Sequence, residues 1–191
     1  MAIRSLKSGS FSRSTKVGNS IILPGDYESI ATTTLSTSAS SITFSSIPST
    51  YTHLQIRALI RLTTGIDSLC GQFNSDTATN YSYHRLAGNG SSANSSNGIN
   101  ISSFYLATDS GFPAAANTFG VLILDILDYA NTNKYKTTRS LGGFDANGSG
   151  GIELDSGLWR STSAINTIKL FSYSGYSFTQ YSSFALYGIR G

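Results

Sequence analysis

The chain is short of cysteine, proline, histidine and charge: among 191 residues there is one cysteine, three prolines and two histidines, and 12% of side chains are charged. A single cysteine excludes an intramolecular disulfide and a multi-cysteine zinc site. In "DSLCGQF", Cys70 reads as a small buried hydrophobe on a strand rather than a reactive thiol. Long apolar runs are also missing. The longest, "VLILDILDY", is broken by Asp125 and falls far short of the roughly 20 residues needed to cross a bilayer. The N-terminus has neither an apolar h-region nor a small-residue cleavage pattern, which predicts neither secretion nor membrane insertion. No stretch has helical spacing with caps at both ends.

What is there is polar and aromatic. Ser, Thr, Asn, Gly and Tyr dominate, and ten Phe with eleven Tyr supply the apolar surface that disordered chains lack. Short β-rich segments alternate with turn-formers. In "THLQIRALIRL", Leu54, Ile56, Ala58, Ile60 and Leu62 share one face while Gln55, Arg57, Leu59 and Arg61 take the other, the period of a half-buried strand. "YESIATTTL" and "SSITF" precede it. "SLCGQF", "YSYHRLAG", "ISSFYLA", "FGVLILDILDY", "NKYKTTRSLGGF", "IELDSGLWR", "INTIKLFSY" and "YSSFALYGI" follow. Continuous apolarity marks "FGVLILDILDY" as a central strand covered on both faces, whereas "GNGSSANSSNG" reads as a surface loop. About ten strands at this spacing predict an all-β, jelly-roll-like β-sandwich over residues 27–191, preceded by an extended basic N-terminal arm over 1–26.

The net charge of +3 belongs to the arm. "MAIRSLKSGSFSRSTKVGNS" holds Arg4, Lys7, Arg13 and Lys16 and no acid, leaving nine basic against ten acidic side chains in the body. A near-neutral body with no basic stripe argues against nucleic acid as partner. Fixing some 20 residues of such an arm costs about 20–40 kcal/mol of backbone entropy, so an ordered arm needs a surface to lie on. Fully extended it spans about 65 Å, enough to reach a neighbouring subunit. Its cations suit an acidic partner, and Ile3, Leu6, Phe11 and Val17 are sparse apolar anchors.

Sites for chemistry are thin. His53, at the head of its strand, reads as a turn-capping or packing residue, and His84, alternating with Tyr81 and Tyr83, as a solvent-facing strand residue. Glycoside hydrolysis needs two carboxylates across a cleft. Glu153 and Asp155 share a strand face and read as a solvated pair beside a glycine-rich turn; Asp125 and Asp128 are the other nominees. Asn74, Asp76 and Asn80 offer oxygen ligands at a spacing that matches no calcium loop. No catalytic residue, cofactor or metal site is predicted.

The runs "SSITFSSIPSTYTHLQIRALIR", "FNSDTATNYSYHRLAG", "ILDYANTNKYKTTRSLGG", "SGLWRSTSAINTIKLF" and "FALYGIRG" resemble segments of small virion structural proteins of tailed bacteriophages, notably phages of aquatic bacteria such as cyanobacteria. The resemblance covers roughly residues 27–191. It implies a non-enzymatic β-rich building block located in the virion, such as a capsid decoration (cement) protein. The partners implied are the major capsid protein or other virion proteins, and the typical geometry of such proteins with the aromatic-rich composition favours a homotrimer. The alternative is a tail, baseplate or fibre component whose Tyr81, Tyr83, Trp159, Tyr173 and Tyr176 stack on host surface glycans. For the decoration role, deletion of residues 1–20 is expected to leave a folded body that no longer occupies capsids. Undiminished occupancy in a particle-binding assay would refute the strap.

Overall fold

In the computed structural model, residues 15–17, 20–22, 26–65, 67–113 and 115–191 are described. Of the predicted arm contacts, Ile3, Arg4, Leu6, Lys7, Phe11 and Arg13 lie outside them. Lys16 and Val17 sit on β1 (Thr15–Val17), which pairs antiparallel with β2 (Ser20–Ile22), Val17 opposite Ser20. This part of the arm is therefore a two-stranded ribbon and not one extended run.

The body is a β-sandwich of two antiparallel sheets. The strands are β3 (Tyr27–Thr34), β4 (Ser41–Phe44), β5 (His53–Ile60), β6 (Asp67–Phe73), β7 (Tyr81–Gly88), β8 (Ala93–Ile101), β9 (Phe104–Phe112), β10 (Gly120–Leu127), β11 (Lys136–Asp145), β12 (Gly150–Trp159), β13 (Ile168–Ser172) and β14 (Ser183–Ile189). The large sheet runs β3-β14-β5-β10-β11-β12-β7-β8 and the small one β4-β13-β6-β9. Period-two patterning decides the packing. Leu54, Ile56, Ala58, Ile60 and, just beyond β5, Leu62 all point into the core, as expected. They meet Leu122, Leu124 and Ile126 of β10, Phe184 and Leu186 of β14, and Ile42, Phe44, Leu69, Phe73, Ile168 and Leu170 of the small sheet. Each such side chain contributes about 1.5–3 kcal/mol on burial.

Local polar groups hold the ends. Asp76 accepts from Trp159 Nε1 (2.7 Å), Asn80 Nδ2 (3.0 Å) and the Ala78 amide (2.9 Å), which folds the 74–80 loop over the core. Asn74 donates to the Ala164 carbonyl and accepts from the Asn166 and Thr167 amides. The oxygens weighed as calcium ligands are thus engaged in loop structure. Fully buried Lys136 donates to the carbonyls of Asn131, Lys134 and Thr162, and desolvation lowers its pKa. Arg190 and Tyr51 both bond Glu28 Oε2, tying the C-terminus to β3.

Three expectations are corrected. β10 is covered on one face only: its residues alternate, with Val121, Ile123 and Leu127 exposed. The segment read as the loop "GNGSSANSSNG" turns at 89–92, where Asn89 Oδ1 accepts from the Ser91 and Ser92 amides, and then continues as β8 along β7. That strand forms by edge pairing, since none of its side chains is buried and more than half are polar. "ISSFYLA" accordingly divides between β8 and β9 at Ser102–Ser103.

Phe104 lies flat over Gly71, where an added Cβ would stand 2.3 Å from Phe104 Cζ. With Phe104 itself buried and stacked on Phe73 at 4.6 Å, the ring has nowhere to go. Gly71→Ala is expected to lower stability by about 1–3 kcal/mol in urea unfolding; an unchanged midpoint would contradict this packing.

Candidate functional site

The outer face of the large sheet is apolar across its middle. Cross-strand register places Leu59, Val121, Gly143 and Ile152 in one row, on β5, β10, β11 and β12. The next row reads Ala185, Arg57, Ile123, Leu141, Leu154 and Leu86, from β14 across to β7. Leu59, Leu86, Val121, Ile123, Leu141, Ile152 and Leu154 are each 38–60% exposed. Singly exposed aliphatics are ordinary, whereas here seven lie contiguously over five strands. A groove of about 520 Å³ lies beside Gly143, bordered by Phe119, Val121, Leu141, Phe144 and Ile152.

A polar row borders the patch: Tyr187, Gln55, Asp125, Arg139, Ser156, His84 and Asn97 lie opposite one another from β14 to β8. Gln55 organises one half. Its Nε2 donates to Asp125 Oδ1 (2.7 Å), and its Oε1 accepts from Arg57 Nε (2.9 Å) and the Tyr27 hydroxyl (2.7 Å). Arg57 leans over the Tyr27 ring at 5.5 Å, which turns its charge towards the sheet edge. His84 is exposed here, as expected for an outward-facing residue. His53 also keeps its structural part, its Nδ1 accepting the Asp128 amide at 3.0 Å.

The inner face under β11, β12 and β7 is unlike the rest of the core. Glu153 and Asp155, expected to be solvated, are each 1% exposed. The reason is the long-range path of β9, which crosses beneath β7, β11 and β12 and shuts off that face. Arg85 Nε stands 3.8 Å from Glu153 Oε1, and Ser140 Oγ bonds the Leu106 carbonyl at 3.2 Å while lying 3.5 Å from Asp155 Oδ2. Desolvation, then the neighbouring Glu153 charge, pushes the Asp155 carboxyl up to about 8, against the opposing pull of Arg85 and Ser140. The nominated glycosidase carboxylates are thus buried beneath β9 and not presented on a solvated strand face.

The aromatic residues divide. Tyr81 and Trp159, expected as glycan contacts, are 0% and 3% exposed: they pack with Phe73 and Phe104, and the Tyr81 hydroxyl takes the Phe73 amide. Their faces are spent on the core. Tyr83 and Tyr173 are brought together by Tyr105, which no feature of "ISSFYLA" singles out, with ring centroids 4.8 Å and 5.6 Å apart in turn. Tyr176 is half-buried against Gly65. Cys70 is buried, and desolvation pushes its thiol up to about 12, which leaves it inert at neutral pH.

Comparison with protein-family models, curated proteins and solved structures finds no match to this chain.

The Asp155 environment has a measurable consequence. Between its ordinary value of 3.8 and about 8 the folded chain holds a proton that the unfolded chain has lost. Unfolding therefore releases a proton in this window, and stability falls as pH rises through it. Asp155→Asn is expected to raise Tm at pH 8, to change it little at pH 4, and to flatten the decline between. An unchanged pH profile would show that Asp155 is not held protonated.

Proposed function

We propose that this chain is a non-enzymatic assembly subunit of a tailed-phage virion, most specifically a capsid decoration protein. In this reading the outer face of its eight-stranded sheet is covered by protein in the assembled particle. The observation that carries it is the aliphatic patch of Leu59, Val121, Ile123, Leu141, Ile152, Leu154 and Leu86. In water such a face is costly at about 25 cal/mol per Å² of apolar surface, and burial against another protein recovers that free energy. The resemblance of residues 27–191 to phage virion proteins supplies the particle, and the cationic segment before residue 20 supplies a second attachment to an acidic surface.

A second reading, a tail or fibre component that recognises host glycans, is favoured by the Tyr83, Tyr105 and Tyr173 rings, since aromatic faces stack on sugar rings. Copy number separates the two: hundreds per particle support decoration, a few dozen or fewer support the tail.

The docking face has its own test. Leu141 is exposed, so Leu141→Asp is expected to retain wild-type circular dichroism and a Tm within a few degrees, yet to be lost from purified particles. Incorporation at wild-type level would overturn the docking role of this face.

A further inference from the structure

We propose that the outer face of the large sheet is covered by a second copy of the same chain, in a two-fold pair. This rests on the docking role proposed above and names its occupant.

Size is the first reason. Eight strands about 4.8 Å apart and about eight residues long at about 3.3 Å each present roughly 1,000 Å². A standard stable interface takes about 800 Å² from each partner, so one face of this sheet suffices without help from another surface.

Number of patches is the second. A three-fold or other cyclic ring uses two different surfaces on every subunit, whereas a two-fold pair uses one surface against itself. Among the described residues, the large exposed aliphatics other than Ile99 all lie on this sheet's outer face, while the exposed tyrosines at 135, 173 and 181 lie away from the patch. One continuous face fits a pair and does not supply the two unlike surfaces of the homotrimer expected from the resemblance.

Self-complementarity is the third and most specific. β10 and β11 are the fourth and fifth of the eight strands, the middle of the sheet. A two-fold axis running along the strands between them, in the plane between two stacked copies, places β10 over the partner's β11 and β5 over its β12. Rows keep their level. Ile123 then faces the second copy's Leu141, Leu59 faces its Ile152, and Val121 projects towards the groove beside its Gly143, while Arg57, drawn over Tyr27, comes opposite its Leu154. In the polar row, Asp125 meets the second copy's Arg139, twice by symmetry, and Gln55 meets Ser156. At Ile123 and Leu59 apolar meets apolar, at Val121 a side chain meets a groove, and in the polar row opposite charges meet across about 10 Å of sheet separation, within reach of an arginine. No other axis parallel to the strands and midway between two of them brings Asp125 over Arg139.

The test uses full-length chains and charge reversal. Wild type is expected to be a dimer in native mass spectrometry and light scattering at micromolar concentration. Asp125→Lys and Arg139→Glu, each alone, set like charges across the axis and are expected to weaken self-association at least tenfold. Mixed together, the two variants are expected to form a heterodimer of near wild-type affinity, because each reversed residue then meets its opposite in the other chain. Within each chain the cross-strand Asp125–Arg139 neighbourhood is unchanged by mixing, so restoration cannot come from repaired folding. A wild type that is monomeric or trimeric, or a mixture no tighter than the separate variants, overturns the pair. If wild type is monomeric while Leu141→Asp is still lost from particles, the docking role stands and the second copy is the wrong occupant. If Leu141→Asp incorporates normally, the docking role itself fails.

Discussion

Eight strands face four. The structure depends on this mismatch, because a sheet of alternating side chains has two faces to satisfy and the small sheet satisfies half of one. Where β4, β13 and β6 lie beneath β14, β5 and β10, the interior is aliphatic and aromatic. Beyond them β9 crosses under β11, β12 and β7; Phe73 of β6 still reaches Tyr81 and Trp159 at one end, but further along these strands the interior turns polar, with Ser140, Asp155, Glu153 and Arg85 in place of leucine and isoleucine. The outer face of the large sheet has no layer over it among the described residues, and its middle is nevertheless leucine, isoleucine and valine. This asymmetry is what the proposed assembly role accounts for: a partner over the outer face would supply the layer that the described residues do not.

The buried carboxylates fit the same picture. A charge taken from water costs several kcal/mol unless it is paired, and an acid can avoid part of that cost by keeping its proton. Asp155 does so beside Glu153, which has Arg85 for a neighbour. The pair belongs to the region beneath β9 and carries an electrostatic signature.

How much of this could be seen beforehand depended on the range of the determinant. β5 was legible to the residue, because Leu54, Ile56, Ala58, Ile60 and Leu62 carry the period in their own order. β7 was legible for the same reason. β10 was recognised as a strand but not as a one-sided one, since Val121, Ile123 and Leu127 on its exposed face give it the composition of a strand buried on both sides. β8 was missed because "ANSSNGINI" has a loop's composition and becomes a strand only through its pairing with β7. Burial of Glu153 and Asp155 was invisible because it is imposed by β9, some 40 residues earlier in the chain. Of the candidate contacts, Tyr83 and Tyr173 remained accessible while Tyr81 and Trp159 went to the core; alternation along β7 does not separate Tyr81 from Tyr83, which share a face and differ only in what the small sheet places over them.

The central claim is that the outer face of the large sheet is buried by protein in the native assembly, and site-directed thiol labelling reads it directly. Cys70, buried with its thiol pushed up to about 12, contributes little background. Leu141→Cys at the centre of the patch, compared with Thr43→Cys on the exposed side of the small sheet, should react with a maleimide far more slowly in the associated protein and at a similar rate once dilution dissociates it. Equal, rapid labelling of both positions in the fully assembled protein would contradict the account.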